Sequence, residues 1–114
     1  MLNSLVLSGV VISLQPIRYT PAGIPLLSFL LQHASEQIEA GLKRKVECTI
    51  NAVALGNLAN SHIQPGFSVK VKGFLAKRSA KNTQLVLHIQ QLQIEQLEIQ
   101  QLKIEYLKAN LKNI

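Results

Sequence analysis

Three cationic clusters stand out along the 114 residues: Arg18 beside Tyr19, the run Lys43-Arg44-Lys45, and Lys77, Arg78 and Lys81, with no acid among residues 77–83. Phosphate oxygens need dense positive charge, and long Lys and Arg stems on loops can follow a flexible polyanion, so these residues point to a nucleic-acid backbone. A single strand also calls for an aromatic face on which a base can stack. The chain has no Trp, and its aromatics are Tyr19, Phe29, Phe67, Phe74 and Tyr106. Phe67 falls on an apolar parity, Phe29 reads as core and Tyr106 belongs to the tail. Tyr19 and Phe74 are left as exposed platforms. Charge then dominates, and binding should be indifferent to base sequence and weaken steeply with salt.

Catalytic chemistry finds little material. All six acids are Glu, whereas two-metal nucleases, aspartic proteases and calcium loops draw on clustered carboxylates that usually include Asp. His33, His62 and His88 lie on separate elements and share no ligand spacing with one another or with Cys48, so they read as structural. Cys48 sits on the apolar parity of its run, which predicts a small buried thiol rather than a nucleophile. The six glycines are single residues in turns and strands and form no phosphate cradle. No catalytic residue, metal site or cofactor is expected. One cysteine allows no internal disulfide and suits a reducing cytosol. No basic segment precedes the first apolar stretch, and the charge-free residues 48–69 are broken by Asn, Ser, His and Pro65-Gly66. A cytoplasmic chain with neither signal peptide nor membrane span is therefore expected.

Charge divides the chain. Residues 1–90 hold nine Lys or Arg against three Glu, whereas residues 91–114 hold three of each. A basic body is thus followed by a neutral extension rich in Leu, Ile and Gln. We place the body at 1–95 and the extension at 96–114.

The apolar period in the body is two, the signature of strands. Leu5, Leu7, Gly9 and Val11 share one face of a first strand, with Gly9 where a barrel strand bends. The Pro-rich loop 15–25 is expected to lack regular structure, and a second strand occupies 26–33. In the third, Val46, Cys48, Ile50 and Ala52 face inward and Lys45, Glu47, Thr49 and Asn51 face water. Residues 55–64 suit a short helix before the Pro65-Gly66 turn. Phe67, Val69, Val71, Gly73 and Leu75 then alternate with Ser68, Lys70, Lys72, Phe74 and Ala76. A fifth strand starts at Gln84 with Leu85, Leu87 and Ile89 inward. Its parity changes at Leu92 and Ile94, as a bulge near Gln90-Gln91 requires. Beyond about Glu95 a helix is expected, with Ile104, Leu107, Leu111 and Ile114 as its apolar stripe.

Five strands with a short helix between the third and fourth is the order of the all-β, Greek-key oligonucleotide-binding (OB) barrel, although another small barrel or sandwich has a similar pattern. In the OB-fold, strands two and three floor a groove flanked by the first loop and the loop between the last two strands. The three basic clusters lie along those segments. RNA carries the same phosphate, so charge alone does not separate it from DNA.

Specific residues sharpen this picture. Asn3-Ser4-Leu5-Val6-Leu7-Ser8-Gly9, Pro16-Ile17-Arg18-Tyr19-Thr20-Pro21-Ala22-Gly23-Ile24-Pro25, Phe29 and His33 resemble the bacterial single-stranded DNA-binding proteins. Glu39-Ala40-Gly41, Val71-Lys72-Gly73-Phe74-Leu75, Ala80-Lys81-Asn82 and Leu85-Val86-Leu87-His88 bring the chain closer to the primosomal replication protein N (PriB) family. The resemblance spans about residues 3–95. It implies a homodimer that binds single-stranded DNA at abandoned forks and bridges it to the primosomal helicase and other primosome proteins. It also implies that Arg18, Arg44 and Lys81 present charge to DNA. Glu47 departs from the family, standing where better-known members place a stacking Trp, and the loop before Leu85 is shorter by two residues. These departures leave room for a protein–protein adaptor or an RNA-binding barrel.

Overall fold

A computed structural model of the chain describes residues 1–96. It contains β1 (Leu5–Leu14), β2 (Arg18–Tyr19), β3 (Pro25–Glu39), β4 (Leu42–Leu55), a 3-10 turn (Gly56–Asn60), β5 (Ser68–Lys77) and β6 (Leu85–Gln96). The strands form one sheet in the order β1-β5-β6-β4-β3-β2, closed by a further β1–β3 pairing. All neighbours are antiparallel except β4 and β6. Five strands close the barrel in the expected OB order, and β2 is a short addition to β3.

β1 serves two neighbours. Leu5 to Val10 pair with β5, and Val10 to Leu14 pair with β3 across a bulge between Val11 and Ser13. At the crossover Val11 N–H donates to the Phe67 carbonyl at 2.9 Å, and Gly66 N–H donates to the Val11 carbonyl at 2.7 Å. The Pro65-Gly66 turn thus satisfies the backbone groups that the corner would otherwise strand. A Cβ on Gly9 would lie 2.5 Å from the Gln32 carbonyl oxygen, so the bend expected there is also a close approach of β1 to β3. The bulge expected in the last strand is present: Lys72 pairs with Gln91 but Gly73 pairs with Ile89, leaving Gln90 unmatched.

Inward side chains make one core. Val11, Leu27, Phe29, Leu31, Ala52, Val69, Val71, Leu87 and Ile89 are buried, and Ala59 and Ile63 close the barrel end beside the 3-10 turn. Only five residues take helical form where residues 55–64 were expected to. Gly56, Asn57, Asn60 and Ser61 are weak helix formers, and the Ser61 hydroxyl donates back to the Leu58 carbonyl at 2.5 Å, ending the turn. Among the described residues no helix is long and apolar enough to cross a membrane.

Two further expectations are corrected. The loop 15–25 is not wholly irregular, because Arg18 and Tyr19 pair with Leu26 and Pro25. Thr20 turns that hairpin, its carbonyl accepting from Gly23 N–H at 2.8 Å and its hydroxyl from Ile24 N–H at 3.1 Å. The second and third strands are also longer than read. β3 and β4 pair from Leu26–Leu55 to Glu39–Leu42, but β1 reaches β3 only as far as Gln32 and β6 reaches β4 only at Asn51. Among the described residues, 33–48 therefore pair only with one another and form a hairpin arm. Its tip is a two-residue turn, Ala40 and Gly41, both at positive φ, 52° and 76°. This explains Cys48, which is exposed and not buried. Its parity is apolar, but the strand has left the barrel and no second layer covers it.

The expected helix and its stripe at Ile104, Leu107, Leu111 and Ile114 lie outside the described residues.

At Gly73 a Cβ would coincide with the carbonyl oxygen of His88, a backbone atom that cannot retreat without breaking the β5–β6 ladder. Gly73→Ala should lower stability in urea unfolding by about 3 kcal/mol, the upper range for overpacking. A loss below about 1 kcal/mol would show that the bulge can absorb the methyl.

Candidate nucleic-acid interface

Strand register decides which polar side chains share a surface. Leu30 pairs with Asn51 and Ser28 with Val53. Asn51 pairs in turn with Val86 and Val53 with His88, and β6 passes Val86 and His88 on to Ala76 and Phe74 of β5. Partners in a ladder point to the same side, so these residues form one outward face across four strands. Its deepest part is a groove of about 490 Å³ lined by Ser28, Leu30, Asn51, Val53 and Val86, with Gln15, Pro16, Arg18 and Arg78 around it.

The barrel brings the first and last clusters together. Arg18, on β2 opposite Leu26, and Arg78, just beyond β5, both line the groove. Arg78 is held by its own loop: its N–H donates to the Gln84 carbonyl at 2.9 Å, and its Nε donates to Gln84 Oε1 at 3.2 Å. Asn82 N–H donates to Ser79 Oγ at 3.1 Å and Gln84 N–H to Asn82 Oδ1 at 3.0 Å, which shapes the rest of the loop. Lys77 and Lys81 are exposed at its start and middle. The structure therefore puts a guanidinium on two walls of the groove, while Lys77 and Lys81 are exposed in the same segment without lining it.

The middle cluster is divided by alternation. Lys43 and Lys45, opposite Ile38 and Glu36, share the face that runs down the arm from Asn51 and Thr49. Arg44 lies on the other face, where its Nη1 pairs with Glu39 Oε2 at 2.5 Å, the only ion pair among the described residues. Tyr19 alternates away from Arg18 in the same manner, exposed at 70% but outside the groove lining. Glu47 stands between Lys45 and Thr49 on the groove side of β4, so the strip leading from Lys43 to the groove is interrupted by a carboxylate. Phosphate would meet mixed charge along the arm and unopposed positive charge at the loops.

Some features escaped the sequence reading. Ser28, Leu30, Val53 and Val86 floor the groove, and Val86, only 4% exposed, is buried on the outward side beneath it. Alternation hinted at their orientation, but which of them meet across strands depends on register. Phe74 and His88 form a parallel stack, ring centroids 5.1 Å apart and planes 7° from one another. Lys70 and Lys72 also face outward, on the β1–β5 wall. Of the other histidines, His33 is structural: its Nδ1 donates to the Ser8 carbonyl at 2.7 Å and its Nε2 lies 2.7 Å from Ser35 Oγ.

Comparison with known proteins bears on the family and the fold. A family model described as another single-strand binding protein family matches residues 3–91. Replication restart protein PriB of Bordetella pertussis is 46% identical over 92 residues, which are 79% of this chain and 86% of the relative. The PriB of Nitrosomonas europaea is 39% identical over 90 residues, covering 77% and 83%. A solved structure of PriB from Ralstonia solanacearum superposes with a TM-score of 0.76 at 36% identity, covering 84% of this chain and all (100%) of that one. The single-stranded DNA binding protein from Thermus aquaticus shares the fold, with a TM-score of 0.64 at 23% identity over 84% of this chain and 51% of that one.

Removing the carboxylate from the strip isolates its effect. In anisotropy titrations with a mixed-sequence oligonucleotide, Glu47→Gln should raise affinity about two- to threefold in dilute salt, a gain that fades as screening shortens the reach of the charge. Equal affinities in dilute salt would mean that the strand does not pass along the arm.

Proposed function

The chain belongs to the single-strand binding protein family, among the PriB replication restart proteins, and from that premise we propose how it works. It binds single-stranded DNA at stalled forks, bridges that strand to the primosomal helicase, and does so as a cytoplasmic homodimer without catalysis. Residues 1–95 are the binding barrel, and 96–114 are an apolar extension of it in sequence. Arg18, Lys77, Arg78 and Lys81 take the phosphates, Lys43 and Lys45 continue the path along the arm, and Arg44 and Tyr19 stand off it.

One observation carries this reading. Two arginines from segments sixty residues apart in sequence, Arg18 and Arg78, line the same groove. No acid lies near them in sequence, whereas the arm sets Glu36, Glu39 and Glu47 against Lys43, Arg44 and Lys45 and is neutral. Free cations displace counterions from a nucleic acid, and cations already facing carboxylates displace fewer.

With about four phosphates neutralised, log K should fall against log salt with a slope of about −2.8, at roughly 0.7 per phosphate on a single strand. Replacing Lys77, Arg78 and Lys81 together by Ala should weaken binding severalfold for every base composition and flatten that slope. A wild-type slope near zero, or a triple variant that binds normally, would remove the electrostatic groove. Parallel titrations with RNA and duplex DNA of the same sequence separate those polymers.

A second reading, a protein adaptor, draws on the tip of the arm, where Ile38 and Leu42 are 68% and 71% exposed. Capture of a helicase that survives nuclease, from a chain with no oligonucleotide affinity, would favour it. Among the described residues no strand pairs with the outer edges of the arm, and such edges can pair with another strand, which supports the homodimer; light scattering measures the mass directly.

A further inference from the structure

The stacked pair on the outward face does nothing for the core, since Phe74 and His88 lie on the side of β5 and β6 away from Val71 and Leu87. We infer that His88 is a nucleobase-stacking surface, backed by Phe74, and that it takes a base at the β6 side of the groove. The inference rests on the single-strand reading above and adds to it a subsite for one base.

Geometry fixes the direction in which the imidazole faces. Phe74 and His88 are register partners, and their 5.1 Å separation is close to the spacing of neighbouring strands. With planes only 7° apart the rings stand side by side across the two strands, each showing one face to the other. The second face of His88 is turned toward β4, where its register partner is Val53. Val53 floors the groove and so does Val86, two residues before His88 on the same side of β6. A planar base lying over Val53 therefore meets the imidazole face to face, while Arg78 in the groove wall is placed for an adjoining phosphate.

The surface is also backed. Phe74 covers one face of the His88 ring, and at the neighbouring position Gly73 meets the His88 carbonyl with no space for a side chain, so β5 and β6 approach closely where the two rings stack. No described residue hydrogen-bonds the ring nitrogens of His88, so no protein partner turns the ring toward another role. A ring held in advance loses little freedom when a base arrives, which makes stacking more effective than on an exposed side chain with no aromatic neighbour among the described residues, such as Tyr19. Stacking tolerates any base, so the subsite adds affinity without sequence preference.

The test compares an oligothymidylate with an abasic strand of equal length and charge, for wild type, His88→Ala, Phe74→Leu and the Lys77, Arg78, Lys81 triple variant. Wild type should prefer the base-bearing strand about tenfold, within the usual range for a stacked base. His88→Ala should lose most of that preference while keeping abasic affinity and salt slope. Phe74→Leu, which keeps an apolar support, should lose part of it. A 2-aminopurine scanned along the strand should be quenched at one position in wild type and not in His88→Ala. The inference is overturned if wild type binds both strands equally, if His88→Ala keeps the preference, or if it weakens both strands alike. A wild type that binds neither strand overturns the single-strand reading itself, an outcome distinct from losing only the preference.

Discussion

Everything on the outward face depends on the sheet closing at β1. That strand must leave β5 and join β3 within ten residues, and backbone sterics decide whether it can. Gly9 lets it approach the Gln32 carbonyl, the bulge after Val11 resets the register, and the Gly66–Phe67 turn pairs with both backbone groups of Val11, the Phe67 carbonyl accepting and Gly66 N–H donating. Without closure, β2 with Arg18 would stand at one edge of an open sheet, with β3 and β4 between it and the β5–β6 loop that carries Arg78. With it, they become two sides of one groove. Long-range charge placement here is a consequence of short-range backbone fit.

Closure also accounts for which cations matter. The net charge of +6 says only that some polyanion is a plausible partner. Topology divides the charge into an arm in which three acids offset three bases and a loop end in which the bases stand alone. Arg44 illustrates the difference. In sequence it is the centre of the densest basic run, but alternation places it on the face away from Lys43 and Lys45, beside Glu39. A run of consecutive charges on a strand cannot all serve one surface, because neighbouring side chains point to opposite sides.

Period-two patterns made the barrel legible, and even the bulge at Gln90 followed from the parity change at Leu92. Arg18, Lys77, Arg78 and Lys81 stood out in sequence as cations without acids around them, and the structure brings Arg18 and Arg78 to one groove. What the pattern could not carry was extent and partnership. Alternation in residues 34–50 looks the same whether a barrel lies behind the strand or nothing does, so Cys48 was read as buried and the arm was missed. Arg18 and Tyr19 pair over only two residues, too few to show periodicity among four prolines. His88 read as an isolated structural histidine because its neighbours Phe74 and Val53 are set by two different registers, neither of which leaves a mark in the local sequence.

In the proposed function, the charge and the stack divide the physical work of holding a strand. A few unopposed cations attract any phosphate chain and release it as salt rises, leaving the strand free to slide. A single aromatic step beside them gives the bases something to pause against without asking which base is present. The neutral arm contributes little to either, and its tip places Ile38 and Leu42 in solvent. Burying those side chains against a protein would gain hydrophobic free energy that DNA cannot supply. On the proposed reading the groove would serve the polymer and the tip of the arm a protein, so a strand in the groove would not have to leave for a partner to approach Ile38 and Leu42.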